Sequence, residues 1–126
     1  MSKSFDLSGR VAIVTGGNGG IGLGMAQGLA RAGAALVIAG RNAGKSAAAV
    51  KGLQALGANA AAVEADVTRQ DDCRALVGAA LDQFGRLDIL VNNAGINIRK
   101  QPQDYTPEEW KSVLDTNLTS AFLCSQ

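Results

Sequence analysis

Val11-Ala12-Ile13-Val14-Thr15-Gly16-Gly17-Asn18-Gly19-Gly20-Ile21-Gly22 decides how this chain folds. Val11 to Val14 is apolar without alternation, which suits a strand covered on both faces of a parallel sheet. Gly16 to Gly22 is a glycine-dense turn. A helical pattern follows from Ile21 to Ala32 and is stopped by Gly33. The same unit then recurs. Leu36 to Ala39 is a second apolar run. Asn42 caps a second helix that Gly57 stops through a left-handed conformation. Ala60 to Glu64 is an alanine-rich third strand. Thr68, with Asp71 three residues on, opens a third helix as a capping-box pair, and Phe84-Gly85 ends it. Leu87 to Asn92 is the fourth strand. Strands alternating with helices predict an α/β fold, a parallel sheet with helices on its faces. An alanine-rich helical bundle is the alternative. Repeated glycine stops and short β-branched runs fit it less well.

The glycine turn also carries chemistry. Glycines allow a tight turn and a close approach of backbone to a pyrophosphate. The helix after the turn offers free N–H groups and a positive dipole. Gly17, Gly19 and Gly22 satisfy the spacing G-x-G-x-x-G. Gly16, Gly20 and Gly22 satisfy T-G-x-x-x-G-x-G. A plain flexible turn is the competing reading of either register.

Bulk properties narrow the function. A chain of 126 residues with 47% hydrophobic content is a globular unit of ordinary domain size. The formal net charge is +1, acids and bases are interspersed, and aromatic residues make up 4%. A nucleic-acid reader would show a basic stripe or stacking aromatics. No apolar stretch reaches the roughly 20 residues of a membrane span, and the start, residues 1–10, is polar, unlike a secretory signal. Cys73 and Cys124 form no CxxC pair and fit buried thiols in a reducing compartment, the cytoplasm. The chain has no histidine, so the commonest general base and metal ligand are both absent, and no metal site is expected.

Four motifs, in order, resemble the classical short-chain dehydrogenases/reductases. They are Thr15-Gly16-x-x-x-Gly20-Ile21-Gly22, Asp66-Val67 after the third strand, Asn92-Asn93-Ala94-Gly95 after the fourth, and Asp115-Thr116-Asn117-Leu118 in the last helix. The likeness runs from Leu7 to Gln126, and from Asn92 onward it is nearest in look to the sugar-acid, gluconate-type dehydrogenases. It implies a Rossmann-type doubly wound sheet of strand order 3-2-1-4 and hydride transfer between a nicotinamide and an alcohol or carbonyl carbon of a small substrate. A homo-oligomer is expected. By the same resemblance, Thr15, Gly16, Asn18, Gly20, Ile21 and Gly22 hold the pyrophosphate side of the dinucleotide. Asp66 and Val67 flank the adenine, Asn93, Ala94 and Gly95 line the cleft, and Asn117 is catalytic through a water in the proton relay. Each has a plainer reading too: a polar turn for Asn92 to Gly95, a solvated acid for Asp66, structural burial for Asn117.

Cofactor choice is read from charge. An acid at the end of the second strand would bind the ribose hydroxyls of NAD. That place reads Ala39-Gly40-Arg41-Asn42, with no carboxylate. The Arg41 guanidinium suits a 2′-phosphate, so NADP is favoured over NAD. Gly19 is not basic, so a cation that NADP users often carry before the second motif glycine is missing.

The family's Ser and Tyr-x-x-x-Lys are not found. Four residues after Tyr105 stands Glu109. Thr106-Pro107-Glu108-Glu109 opens a final helix with an N-cap, a proline at N1 and a glutamate at N3. Trp110, Val113, Leu114, Leu118, Ala121 and Phe122 keep helical spacing to the end, with Asn117 on their buried side and no glycine or proline stop before Gln126. The expectation is one dinucleotide-binding unit over residues 1–126, truncated inside a helix and inactive by itself.

Overall fold

The computed structural model describes residues 5–96 and 98–126, so the first part of the polar start lies outside the described residues. The elements follow the alternating pattern: β1 (Val11–Thr15), α1 (Gly20–Arg31), β2 (Ala35–Gly40), α2 (Ala43–Ala55), β3 (Ala60–Glu64), α3 (Gln70–Phe84), β4 (Ile89–Asn92), α4 (Pro107–Leu114) and α5 (Ser120–Ser125). The four strands form one sheet in the order β3-β2-β1-β4. Every pairing is parallel, with Ile13 opposite Val37 on one side and Leu90 on the other.

Successive side chains on a strand point to opposite faces, so β1 feeds two cores. Ala12 and Val14 pack with Leu36, Ile38, Ala26, Ala30 and Leu53 under α1 and α2. Ile13 packs with Val37, Cys73, Leu76 and Ala80 under α3. Burial on both faces explains why β1 and β2 are apolar without alternation.

Helix ends follow local chemistry, with one correction. The Asn42 side chain caps α2 by accepting from the Lys45 N–H at 3.0 Å, and Gly57 stands just past α2 at φ +89°. Thr68 does not open α3. Its hydroxyl and its N–H both donate to Asp66 Oδ1, at 2.6 and 3.0 Å. Asp72, one residue beyond the expected Asp71, reaches back to the Asp66 N–H at 2.7 Å. A short Asp-to-Thr turn two residues long has outcompeted the capping box. The helix starts at Gln70 with Arg69 as an N-cap lacking a side-chain bond.

β4 starts two residues later than Leu87 because Asp88 faces its neighbour through its side chain. Its carboxylate accepts from the Val11 N–H at 2.9 Å, while the Asp88 N–H donates to the Val11 carbonyl. Arg86 donates to both oxygens, at 2.8 and 2.6 Å, and Arg10 approaches to 3.5 Å. The Arg86 guanidinium, then the Val11 N–H, hold the Asp88 carboxyl down at about 2. An unfolded aspartate titrates at about 3.9. The anchor's contribution to stability is therefore complete above that value and is lost as pH falls through about 2. Asp88→Asn is expected to be less stable than wild type near neutrality and to show a flatter loss of stability below about pH 4. Urea midpoints measured across that range check this. Parallel curves for the two proteins would remove Asp88 from the acid response.

The last helix departs most from expectation. Between α4 and α5, residues Asp115–Thr119 form a π-helical turn. One extra residue in a turn rotates the downstream helix by roughly 100°. The buried residues beyond it are Ser120 and Cys124, while Leu114, Leu118 and Phe122 are 37%, 66% and 64% exposed. Asn117 lies on the exposed side rather than among buried neighbours.

Candidate functional site

Because all strands run parallel, their C-terminal ends share one edge of the sheet. β1 lies between β2, to which the chain goes next, and β4, to which it returns after β3. At such a reversal the loops after neighbouring strands leave in opposite directions and open a crevice. Here that crevice is a cleft of about 370 Å³.

The loops around it are tied to one another. Thr15, at the end of β1 and 1% exposed, accepts the N–H groups of Asn93 and Ala94 on its hydroxyl, each at 3.1 Å, and donates to the Val91 carbonyl at 3.3 Å. The Asn93 amide donates to the Gly16 carbonyl at 3.2 Å. The glycine loop is joined to α2 by Asn18, whose amide donates to the Ser46 hydroxyl at 3.1 Å. A Cβ at Gly40 would collide with the Asn18 amide nitrogen, so a side chain there would displace the Asn18 tie to Ser46. Asn117 joins the loop after β4: its carbonyl accepts from Ile96 N–H at 2.7 Å and its amide donates to the Ile96 carbonyl at 2.9 Å.

Charges and free donors decide what the cleft can take. Gly19, the N-cap of α1, makes no side-chain cap, and no acid stands in the first turn. Helix-start N–H groups left free in this way, with the helix dipole behind them, suit an anion. A Cβ at Gly20, φ +55°, would meet nothing within 4 Å, so the loop is open at that point. The end of β2 carries Arg41 and no carboxylate. Asp66 is the cleft's acid, and the Thr68 hydroxyl holds its carboxyl below the usual range. Among the described residues no group of metal-ligating side chains occurs, and no helix is long and apolar enough to cross a membrane.

The family model for short chain dehydrogenases matches residues 10–126. The chain belongs to the short-chain dehydrogenase family. Among its short-chain dehydrogenase relatives, gluconate 5-dehydrogenase of Gluconobacter oxydans is 42% identical over 97% of this chain and 48% of its own length. The 2-dehydro-3-deoxy-D-gluconate 5-dehydrogenase of Escherichia coli is 39% identical, over 98% of this chain and 48% of its own. Among solved structures, the Pseudomonas aeruginosa RhlG/NADP active-site complex superposes with a TM-score of 0.91 at 41% identity, covering 98% of this chain and 48% of that one. The chain thus spans about half the length of the curated relatives it matches.

Within this short-chain dehydrogenase cleft, Gly16, Asn18, Arg41, Asn42, Asp66, Val67, Ala94 and Gly95 line the space. Thr15, Gly22 and Asn93 do not line it; they brace the two loops from behind. Gly20 sits at the open start of α1. Ile21 is 80% exposed and faces solvent beside the cleft rather than lining it. Asn117 stands outside, and its neighbour Thr116 reaches the lining. Sequence reasoning missed Lys45, which also lines the cleft. Its signal was present in the Asn42 cap, because a residue three past the cap sits in the first turn, at the same sheet edge. Tyr105 is occupied elsewhere: its hydroxyl donates to the Ile98 carbonyl. Glu109, four residues on, is held by Lys100 and closes the Thr106 capping box. Cys73 and Cys124 are buried with their sulfurs 3.4 Å apart, and burial pushes the Cys73 thiol up to about 12.

Proposed function

We propose that these residues form the dinucleotide-holding part of an NADP-preferring oxidoreductase of the cytoplasm, which transfers hydride between the nicotinamide and an alcohol or carbonyl carbon. The observation that carries the reading is the cleft at the strand ends, with an uncapped α1 N-terminus on one side and Arg41 in place of an acid at the end of β2. A bound nicotinamide dinucleotide would supply the hydride donor or acceptor. The residues present fit it: free N–H groups at Gly20 and beyond for the pyrophosphate, Asp66 and Val67 for the adenine end, Ala94 and Gly95 for the inner wall. A sugar acid is the substrate class we favour, on the likeness to two gluconate-type dehydrogenases.

Asn117 acts here as a positioning residue. With both ends of its amide on the Ile96 backbone, it fixes the loop after β4 against the π turn. Each end keeps one further hydrogen-bonding position for a water, but an amide is no base near neutral pH. Tyr105 has no lysine four residues on, so the proton-transfer group comes from residues outside these 126, and this stretch alone binds without turning over. The exposed stripe of Trp110, Leu114, Leu118 and Phe122 supports association of like subunits.

The test compares the product of the whole reading frame with the 126-residue chain. Nucleotide titration is paired with nicotinamide absorbance over a panel of sugar acids, polyols and ketones. The full product is expected to bind NADP and turn over at least one sugar acid. NADP binding with no turnover on the whole panel would favour a non-catalytic binding module instead. Turnover by the 126-residue chain that survives repurification and is lost in Asn117→Ala would overturn the need for other residues.

A further inference from the structure

The glycine loop lacks a basic residue at position 19, yet a cation stands there. A Cβ built on Gly19 would lie 3.0 Å from both Cε and Nζ of Lys45. The ammonium of a residue on α2 therefore rests over the glycine loop. Gly19 has an extended backbone, φ −174°, open to any residue type. A side chain at 19 would meet the end of Lys45, which would have to move aside.

Several features fix this arrangement. The Lys45 N–H is held by the Asn42 cap at 3.0 Å. The next residue, Ser46, is 1% exposed and accepts the Asn18 amide from the glycine loop at 3.1 Å. The first turn of α2 is thus bolted to the loop on one side of Lys45 and capped on the other. Lys45 and Arg41 line the same cleft, and neither takes part in an ion pair among the described residues. No acid stands in the first turn of α2. A cation at a helix N-terminus is locally unfavourable, and two cations facing one cleft repel. Asp66, the carboxylate in the lining, already has one oxygen committed to Thr68. A doubly charged phosphate between Arg41 and Lys45 resolves all of these at once.

We propose that Lys45 is the second cation of the 2′-phosphate site, delivered by α2 to the place over Gly19 that a basic residue of the glycine loop would otherwise fill. This rests on the NADP reading of the cleft. Arg41 supplies the planar fork and Lys45 a point charge from the opposite side. A basic residue at 19 would bring a second cation against the Lys45 ammonium and repel it, so one cation from either element serves the place.

The test uses calorimetric titration of the whole reading-frame product with 2′,5′-ADP and with 5′-AMP, which differ by the 2′-phosphate alone. Lys45 is exposed, so its variants are expected to fold, which thermal melts check. Lys45→Gln should weaken 2′,5′-ADP by about tenfold and leave 5′-AMP unchanged. Lys45→Arg should keep wild-type affinity. Gly19→Lys in the Lys45→Gln background should restore most of the loss, and Arg41→Ala should weaken 2′,5′-ADP at least as much as Lys45→Gln. If Lys45→Gln leaves 2′,5′-ADP unchanged while Arg41→Ala weakens it, Lys45 has no part and the NADP reading stands. If Lys45→Gln weakens both probes equally, its role is not toward the 2′-phosphate. Equal affinity of the wild type for the two probes would overturn the NADP reading itself.

Discussion

Gly22→Val is expected to cost nucleotide affinity on the order of a hundredfold while the sheet remains folded. The cause is local and steric. A Cβ at Gly22 would collide with the Asn93 amide nitrogen and the Gly16 carbonyl oxygen. Those two atoms are the partners of the 3.2 Å hydrogen bond joining the loops after β1 and β4. Gly16 cannot retreat: its backbone is left-handed, φ +66°, and its own Cβ position lies 3.1 Å from the Ala94 Cα. Either the bond breaks or α1 moves outward, and its first-turn N–H groups leave the cleft. Overpacking of this kind costs about 1–3 kcal/mol, and the orphaned amide and carbonyl add to it. Gly24→Ala is the control. It lies in the same helix, and its Cβ would meet nothing within 4 Å. It should leave binding intact and raise stability by roughly 0.5–1 kcal/mol. Titration of both variants with NADP checks the pair. Wild-type affinity in a folded Gly22→Val protein would show that the pyrophosphate lies elsewhere.

The second large effect falls on stability. Thr15→Val keeps the shape of the side chain and removes the oxygen. The Ala94 N–H then loses its acceptor beside Thr15, which is 1% exposed, while the Asn93 N–H keeps the Val91 carbonyl at 3.1 Å. An unsatisfied buried donor costs about 1–3 kcal/mol, and the variant should lose about that much. In a domain of this size that lowers Tm by roughly 4–12 °C. Thr15→Ser keeps the hydroxyl and drops a methyl, for about 1 kcal/mol. The order decides the mechanism: if thermal melts place Thr15→Ser at or below Thr15→Val, packing rather than the hydroxyl holds the loops.

The strands and the glycine stops were legible because both obey short-range rules. An apolar run without alternation, bounded by glycine turns, suits an inner strand, and Gly57 and Gly85 sit at φ +89° and +78° just past their helices, where a side chain would be strained. Motif residues that line the cleft were legible for the same reason, being fixed to strand ends. Three features were not. The spacing from Thr68 to Asp71 fits a cap, but Asp66, two residues upstream, offers Thr68 a tighter ring. The π turn at Asp115–Thr119 leaves no mark in composition, and Asn117 and Leu118 within it are exposed, as Trp110 and Leu114 before it are. The Asn42 cap places Lys45 in the first turn at the sheet edge, but its position over Gly19, 26 positions earlier along the chain, is a tertiary contact that no local pattern records.

The tie from Thr15 to Asn93 spans 78 positions of chain, whereas β2 follows β1 after one helix. Closing so long a loop is entropically slow, and pairings of high sequence separation form late in folding. The β1–β2–β3 side can assemble early around local contacts. The other wall of the crevice waits for β4 to dock on β1. A partly synthesised chain therefore exposes the flank of β1 until residue 92 and its loop have emerged, and the crevice has both its walls only from that point.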